Sequence, residues 1–295
     1  MTPETTIRAG RRRVRISNPD KVLFPADGIT KLDLARYYAA VAPAMVPHVK
    51  DRPLNLWRWN KGIDDDVVVQ QAIPKGAPEW VRRVKVSRRR GGDVVHAVGG
   101  EAATLVWLAN QNCITPHVWT ARMDRPDHPD RLVFDFDPAD DGDHLEAIRA
   151  GALAIGDLLR EKGLQPFAMT SGSRGIHVVA PLRRRHASDH VRAVAGELAE
   201  EVAERLPDQL TTSWRKAGRG GRVLVDAARN TYAQTAVAPY AVRAKPGAPV
   251  ATPLFWEEVE HADPRGWTLS DLPRRLEERG DPWKGIGAAA ASLPA

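Results

Sequence analysis

Two acidic residues that follow an apolar run are the first residues of this sequence that could do chemistry. In Leu132-Val133-Phe134-Asp135-Phe136-Asp137-Pro138, the alternation of a β-strand sends Asp135 and Asp137 to the same face. Carboxylates about 7 Å apart on one strand face repel each other unless cations neutralise them. A pair of Mg²⁺ or Mn²⁺ ions can do so, because hard cations take oxygen ligands. The alternative is a strand end that only turns into solvent at Asp-Pro.

A second acidic strand favours the metal-site interpretation. Asp226 closes another β-branched run, Val223-Leu224-Val225-Asp226. Three acids on two strands can form a two-metal site, which holds its ions about 3.5–4 Å apart and clamps the attacking and leaving oxygens of a phosphoryl transfer. We therefore predict that Asp135, Asp137 and Asp226 are metal ligands and the catalytic acids.

A glycine-rich loop between two predicted strands, Thr-Ser-Gly-Ser-Arg-Gly-Ile-His at 170–177, is typical of a phosphate-binding segment. Its glycines let backbone amides approach an anion, the hydroxyls of Ser171 and Ser173 can donate, and Arg174 can hold phosphate with two parallel hydrogen bonds. The alternative is an ordinary hairpin loop followed by a sheet histidine, His177. Further arginines near the Asp226 strand would complement a triphosphate if the fold brings them together: Arg219, Arg229 and Arg243.

Short strands and amphipathic helices alternate around these residues. Thr30 and Asp33 predict a capping box at the start of a helix that runs from about Lys31 to near Pro43. Apolar residues at helical spacing predict two more helices, over 145–159 and 191–202. Strands are predicted over 131–137, 165–170, 176–180, 222–226 and 235–239. The pattern indicates an α+β or α/β sheet with helices packed on it and a site at the strand ends.

Composition limits the class of protein. The 295 residues are 43% hydrophobic and 27% charged, which excludes disordered and fibrous chains. The net charge of +6 and its arginine runs fit either a polyanionic partner or solvated surface, and charge alone favours neither. A single cysteine, Cys113, excludes a disulfide framework, and no apolar run approaches the ~20 residues of a membrane span. We expect a cytoplasmic protein associated with the nucleoid.

Stretches rich in proline and glycine predict how the chain divides into lobes. We expect one domain over 1–295, with an N-terminal lobe of about 1–120, a catalytic lobe of about 121–284 and a disordered Ala-rich tail over 285–295. Nine tryptophans are present, and several of them could stack on bases, although a core position is the simpler interpretation for any single one.

Taken together, these segments resemble the polymerase domain of bacterial DNA ligase D, in the archaeo-eukaryotic primase superfamily. The resemblance runs from about Ile16 to Trp283, and its most specific stretches are 18–25 (Asn-Pro-Asp-Lys-Val-Leu-Phe-Pro), 132–138, 170–181 and 235–249. It implies an α+β primase-like fold of mixed sheets flanked by helices, with a catalytic palm like that of an RNA-recognition motif.

The resemblance also implies roles for individual residues. Asp135, Asp137 and Asp226 would ligate Mn²⁺ or Mg²⁺. A nucleoside triphosphate would lie among Ser171, Arg174, His177, Arg219 and Arg243, with His117 near its sugar. A 5′-phosphate on the downstream side of a gap would bind Asn18, Lys21 and Lys31, whose amide and ammonium donors beside a helix N-terminus suit an anion.

Function and partners follow as expectations from the same resemblance. It implies a template-directed DNA or RNA nucleotidyltransferase, a stand-alone primase-polymerase that works on gapped or broken DNA in repair and non-homologous end joining. It would use ribonucleoside and deoxyribonucleoside triphosphates. We also expect a monomer without membrane contact, which meets an end-binding protein and a separate DNA ligase. Two rivals remain: a catalytically silent module that binds 5′-phosphorylated ends, and a metal-dependent nuclease built on the same acids.

The chain departs from the family pattern in two places. Val68-Val69-Gln70-Gln71 stands where the ligase domains usually carry an aromatic pair followed by a lysine, which removes a flat stacking surface and a charge. Arg174 stands where the family commonly has lysine, and the two side chains grip phosphate with different geometry. We therefore expect the alignment of the template or of the DNA ends to differ from that in the ligase domains.

Overall fold

The computed structural model describes residues 4–138 and 142–294, and these form two compact units. Unit 1 contains the described residues of Met1–Trp119 together with Thr235–Ala251 and Trp267–Asp281. Unit 2 contains those of Thr120–Gln234, Thr252–Gly266 and Pro282–Ala295. The chain therefore passes between the units several times.

The strands and helices alternate along the chain. The strands are β1 (Glu4–Ala9), β2 (Arg12–Ser17), β3 (Val22–Phe24), β4 (Ile29–Thr30), β5 (Leu54–Arg58), β6 (Val68–Gln70), β7 (Arg83–Ser87), β8 (Asp93–Ala97), β9 (Cys113–Trp119), β10 (Arg131–Asp137), β11 (Phe167–Thr170), β12 (Ile176–Pro181), β13 (Leu210–Thr211), β14 (Val223–Asp226), β15 (Thr235–Val237) and β16 (Pro253–Leu254). The α-helices are α1 (Lys31–Val49), α2 (Ala102–Asn110), α3 (Leu145–Glu161), α4 (Ser188–Arg205) and α5 (Leu272–Arg279). Short 3₁₀ helices lie at Lys216–Gly218, Ala228–Asn230, Trp256–His261 and Ile286–Ala289.

Unit 1 is built on an antiparallel sheet with the strand order β15-β9-β5-β6. Three antiparallel pairs accompany it, β1 with β2, β3 with β4, and β7 with β8. Every residue of β9 is buried, since β9 lies inside the sheet and α2 packs against it. Unit 1 therefore has its own hydrophobic core.

Helix α1 is longer than the sequence predicts. The capping box is confirmed, because the Thr30 hydroxyl accepts from the Asp33 N–H and the Asp33 carboxylate accepts from the Thr30 N–H. The predicted end near Pro43 is wrong, as α1 continues to Val49 with Pro43 and Pro47 inside it. Proline in a helix interior costs ~3 kcal/mol. The buried stripe continues past both prolines through Met45 to Val49, and its packing outweighs that cost.

Unit 2 is built on a mixed sheet with the order β13-β14-β10-β12-β11-β16, in which the β13–β14 pair is parallel and the other neighbours are antiparallel. Helices α3 and α4 cover one face of this sheet. Leu132, Phe134 and Phe136 of β10 share one buried cluster with side chains of both helices. The alternation therefore leaves Asp135 and Asp137 on the face away from the helices.

The division of the chain differs from the contiguous lobes that the sequence predicts. Segments 235–251 and 267–281, assigned to the catalytic lobe, belong to unit 1, because β15 pairs with β9. The predicted disordered tail also differs: Ile286–Ala289 is a 3₁₀ helix, the Ala291 N–H donates to the Pro181 carbonyl at 3.2 Å, and Leu293 is buried in the unit 2 core. Apolar contact with the core fixes this end. None of the helices in the described residues has the length and apolar content to cross a membrane.

Candidate active site

The three predicted acids lie together on the open face of the unit 2 sheet. Strands β10 and β14 are antiparallel neighbours, and their register sets Asp135 directly opposite Asp226. On the other side of β10, Asp135 lies opposite His177 of β12. Ile176 and Val178, which flank His177, belong to the core cluster, so His177 points to the same face as the acids. The sequence prediction that Asp135 and Asp137 share a face is confirmed, and the sheet adds Asp226 to them.

Arginine side chains already accompany these acids. Arg174 Nη2 lies 3.4 Å from Asp137 Oδ1, and Arg219 Nη1 lies 3.3 Å from Asp137 Oδ2. Arg229 reaches two acids, with Nη2 3.4 Å from Asp135 Oδ2 and Nε 3.5 Å from Asp226 Oδ2. These distances are long for charge-assisted hydrogen bonds, which are usually about 2.7–2.9 Å. The arginines therefore offset the negative charge of the acids without forming short, directional hydrogen bonds.

His177 completes the ring of basic groups around the acids. Its Nε2 lies 3.3 Å from Asp135 Oδ1, and its side chain is buried. The predicted residues Arg174, His177, Arg219 and Arg229 thus all lie at the acid cluster. Unit 2 brings together seven of the sequence-predicted site residues in one place, acids and bases alike: Asp135, Asp137, Asp226, Arg174, His177, Arg219 and Arg229.

Burial changes the electrostatics of Asp226. Desolvation raises the pKa of this carboxyl above its usual value, and the neighbouring Asp135 carboxylate raises it further. The Ala228 N–H, which donates to Asp226 Oδ1 at 2.7 Å, and the nearby Arg229 act in the opposite direction. A buried carboxylate opposite another acid is a group whose charge an additional cation would stabilise.

The acid cluster has the donor chemistry of a site for hard divalent cations, although its acids face arginines. Carboxylate oxygens from adjacent strands are the ligands that Mg²⁺ and Mn²⁺ take. Within 4–138 and 142–294, no set of three or more His, Cys, Asp or Glu side chains is already arranged to hold a metal ion. A cation at Asp135, Asp137 and Asp226 would therefore require the arginines to release the carboxylate oxygens.

The loop between β11 and β12 is held against the acid strand by its own polar groups. The Ser171 hydroxyl accepts from the N–H groups of Ser173 and Gly175 at 3.2 and 3.1 Å, and the Ser171 N–H donates to the Gly175 carbonyl at 2.9 Å. Ser171 is buried, so its hydroxyl orders the loop. Gly172 has φ +64°, a left-handed conformation that glycine adopts without strain. The loop thereby presents Arg174 to Asp137.

Gly175 allows an unusually close approach between this loop and β10. A Cβ atom at this position would lie 2.1 Å from the Phe136 carbonyl oxygen and 3.7 Å from Asp135 Oδ1. No side chain larger than hydrogen fits there unless the backbone moves. Gly175 is therefore required by its contact with β10. The sequence pattern alone suggests that this glycine serves anion binding.

A cavity of about 400 Å³ opens beside this loop in unit 2. Its described lining combines basic, acidic and apolar groups: Pro138, Gly142, Asp143, His144, Leu145, Ile148, Ser173, Arg174, Asp263, Pro264 and Arg265. Pro138 follows the acid Asp137 directly, and Arg174 contacts Asp137, so the cavity borders the acid cluster. Its volume lies within the range of small-molecule sites, roughly 300–1,000 Å³.

Two residues that support the site are not indicated by the sequence. Asn230 is fully buried, and its side chain accepts from the Val133 N–H and donates to the Val133 and Ala227 carbonyls, each at 2.8 Å. The Asn230 side chain thus pairs with the backbone N–H and carbonyl of Val133 in β10, at a point that the pairing with β14 does not reach. Arg265 Nε donates to the Ser173 carbonyl at 2.9 Å and so fastens the loop. Both contacts join segments far apart in sequence, and no local pattern signals them.

The predicted 5′-phosphate residues lie together in unit 1. The Lys21 N–H donates to the Asn18 carbonyl at 3.1 Å, and the Lys31 N–H donates to the Lys21 carbonyl at 2.8 Å. Lys31 Nζ donates to the Ser17 carbonyl at 2.9 Å, and its side chain is almost fully buried. Burial, with the positive charges of Lys21 and Arg58, lowers the pKa of Lys31 to about 8. Among the residues that the structure describes, the ammonium groups of Lys21 and Lys31 donate to backbone carbonyls and pair with no acid, so their charge is available to an anion.

His117 and Arg243, the remaining predicted nucleotide-binding residues, also belong to unit 1. The His117 ring in β9 stacks on Trp57 with the centroids 4.2 Å apart and the planes 3° from parallel. The Arg243 N–H donates to the Pro249 carbonyl at 2.7 Å. Val68 and Val69 are exposed on the edge strand β6, so this strand offers small aliphatic side chains to solvent.

Known proteins resemble this chain over most of its length. A family model described as the LigD primase-polymerase domain matches residues 30–283. The multifunctional non-homologous end joining protein LigD of Mycolicibacterium smegmatis is 31% identical over 271 residues, which cover 91% of this chain and 35% of that protein. LigD of Mycobacterium tuberculosis is 33% identical over 281 residues, 92% of this chain and 37% of that protein. The chain thus spans about a third of the length of these curated relatives.

A solved structure extends the similarity to three dimensions. The polymerase domain of ligase D from Mycobacterium tuberculosis, in complex with DNA, superposes with a TM-score of 0.86 at 33% identity, covering 95% of this chain and all of that one. The predicted primase-like α+β fold is therefore confirmed. On the extent of these matches, the chain belongs to the LigD primase-polymerase domain family.

Proposed function

We propose that this chain is a template-directed nucleotidyltransferase that extends a DNA strand across short gaps or at broken ends, in repair by non-homologous end joining. Three carboxylates on one open sheet face, with Asp135 and Asp226 directly opposed in register, carry this proposal. The arginines around them supply the positive charge that a triphosphate requires. The names of the relatives, which are non-homologous end joining proteins and a polymerase domain bound to DNA, support the same choice of substrate.

The proposed metal ligands are Asp135, Asp137 and Asp226, with Mn²⁺ or Mg²⁺ as the cations. When bound, such ions activate the attacking 3′-hydroxyl and neutralise charge on the leaving pyrophosphate. The chain's own residues would do the rest. Arg174 and Arg219 would transfer from Asp137 to the phosphates, and the 3.3–3.4 Å spacing of both pairs makes that exchange inexpensive.

The proposed nucleotide site includes Ser173, Arg174, His177, Arg219 and Arg229 of unit 2. Ser171 acts by ordering the loop, since its hydroxyl already accepts two backbone N–H groups. Family resemblance also assigns nucleotide binding to His117 and Arg243. The same resemblance supports use of both ribonucleoside and deoxyribonucleoside triphosphates.

We assign the 5′-phosphate of the downstream strand to Asn18, Lys21 and Lys31. Lys31 is the first residue of α1, so the helix N-terminus adds a positive partial charge to the two ammonium groups. The pKa of Lys31 is lowered by burial and then by the nearby cations Lys21 and Arg58, and a bound anion would stabilise the charged form against both.

Extension of gapped DNA tests the proposal. A labelled primer with a one-nucleotide gap and a 5′-phosphorylated downstream strand is incubated with each nucleotide set and with Mn²⁺ or Mg²⁺. We expect extension by the parent chain. Replacing Asp135 and Asp137 together by Asn should lower extension at least about 10³-fold, because charge stabilisation by bound metal is worth several kcal/mol. DNA binding should stay within about threefold, since the acids repel rather than attract the DNA backbone.

A matched control removes a carboxylate elsewhere in unit 2. Asp157→Asn changes an exposed acid on α3 that pairs with Arg160, and it should extend DNA like the parent. Normal extension by the Asp135→Asn, Asp137→Asn double variant would refute the metal-site assignment. A parent chain that binds 5′-phosphorylated gaps but adds no nucleotide under any condition is the silent binding module, and shortening of the labelled strand would indicate the nuclease.

A further inference from the structure

An exposed tryptophan lies on the loop that joins β13 to β14. Trp214 is 60% exposed, and it is the one aromatic among the large hydrophobic side chains that are exposed in the described part of the chain. Indole burial is among the larger favourable terms in folding, so the exposed Trp214 leaves a large apolar ring available for a contact. The other large exposed side chains are valines of unit 1: Val22, Val67, Val68, Val69 and Val95.

The loop that carries Trp214 is held in place by arginine. The buried Arg219 guanidinium donates to the Ser213 carbonyl at 3.2 Å and to the Trp214 carbonyl at 3.3 Å, and it also pairs with Asp137 at 3.3 Å. Arg222 donates to the Arg219 carbonyl at 2.9 Å. One guanidinium therefore joins the Trp214 backbone to the acid strand. Trp214 is therefore exposed on a loop that Arg219 fixes in place next to the proposed reaction centre.

The charge around Trp214 is positive. Arg215 and Lys216, which follow it, are both exposed, and neither forms an ion pair with an acidic side chain in the residues that the structure describes. Asp208 is the only acid between Pro207 and Arg222, a stretch that contains four basic residues. A flat apolar ring beside unpaired cations complements a strand that carries stacked rings and phosphates.

A nucleic-acid strand fits this surface better than a protein does. A stable protein interface buries ≈ 800 Å² on each side around several apolar anchors, and one tryptophan flanked by charges supplies a small part of that. A single base needs only one ring face. Because every base has such a face, the contact would not depend on sequence.

We propose that Trp214 stacks on an unpaired base of the nucleic-acid strand bound at the acid cluster, while Arg215 and Lys216 contact the flanking phosphates. This inference rests on the proposed function, since it takes DNA as the substrate. It adds a contact surface that the three acids and the phosphate loop do not supply.

Binding to two matched oligomers tests the stacking contact directly. The probes are a fluorescein-labelled single strand of about 12 nucleotides and a strand of equal length made of abasic sugar-phosphate, each measured by anisotropy. Trp214→Ala should weaken binding to the normal strand about tenfold, since stacking on one base is worth ≈ 1–3 kcal/mol. It should leave binding to the abasic strand within about twofold. Trp214→Phe, which keeps a ring, should recover most of the affinity.

Salt dependence separates the stacking residue from its cationic neighbours. Trp214→Ala should leave the slope of log K against log [salt] unchanged, because stacking releases no counterion. Arg215→Ala should reduce the slope by about 0.7, and the control Arg192→Ala, which removes an exposed charge from α4, should not. Val95→Ala, a shortened apolar side chain on β8, is the control for exposed hydrophobic surface.

The outcomes separate this inference from the proposed function. Equal weakening of both probes by Trp214→Ala, or no weakening of either, would overturn stacking even if the parent extends DNA normally. A base-dependent loss would support stacking even if the parent extends nothing, because binding is measured without catalysis. Trp214→Ala that lowers self-association in sedimentation and spares both probes would assign Trp214 to a protein contact and overturn the inference.

Discussion

Replacement of Gly175 by alanine should damage catalysis through a steric effect of calculable size. The added Cβ would lie 2.1 Å from the Phe136 carbonyl oxygen, whereas real Cβ atoms are essentially never closer than 3.0 Å to such an atom, so a gap of about 0.9 Å must open between loop and strand. Phe136 lies between Asp135 and Asp137 on β10, so the displacement moves both acids. A misplacement of ~1 Å at a reacting centre can cost about 10²-fold in rate.

Steady-state kinetics of single-nucleotide addition to gapped DNA would measure this effect. We expect kcat to fall about 100-fold, and overpacking to lower the free energy of unfolding by about 1–3 kcal/mol in urea titration. The control Gly196→Ala lies in α4, where an added Cβ has nothing within 4 Å, and it should leave kcat unchanged. Parental kcat and KM in Gly175→Ala would refute the claim that this glycine sets the position of the acids.

Two further predictions concern stability and pH. Asn230→Ala removes three hydrogen bonds of 2.8 Å and leaves the Val133 N–H buried without its acceptor. The free energy of unfolding, measured in urea, should therefore fall by about 3 kcal/mol. A loss below about 1 kcal/mol would contradict the role given to this side chain. Lys31 has a pKa of about 8, so it is cationic below pH 8 and loses its proton above it. The preference for a 5′-phosphorylated gap over an unphosphorylated one should therefore fall about tenfold between pH 7 and pH 9. The phosphate stays doubly charged over that range, and Lys31→Met should show a flat profile. A preference that is equal at both pH values in the parent would exclude Lys31 from the pocket.

The acid cluster could be predicted from sequence because strand alternation is a local property. Once β10 is recognised, the two-residue spacing of Asp135 and Asp137 places them on one face, whatever the partner strands are. The register with Asp226 and His177 depends on which strands become neighbours. Strand order is set by packing of the whole unit, and no segment of the sequence states it.

The supporting contacts could not be predicted for a related reason. The sequence identifies Arg219 and Arg229 as cations near an acidic strand, but which carboxylate each one meets depends on loop conformation. Asn230 resembles any polar residue after a strand, and only the fold shows that it is fully buried. Helix α1 illustrates the opposite error, since local rules end a helix at Pro43 although tertiary packing continues it.

Unit 1 contains two segments from late in the sequence, Thr235–Ala251 and Trp267–Asp281. Their position in the sequence determines when unit 1 can finish folding during synthesis. Strand β15 covers the edge of β9, and Asp281 bonds to His48 of α1, so both contacts tie residues made late to residues made early. A ribosome must translate beyond residue 281 before these bonds can form. Until then the edge of β9 that β15 covers stays unpaired, and an unpaired strand edge is a template for aggregation. We therefore expect a fragment cut near residue 120, which lacks β15, to be less soluble than the 295-residue chain.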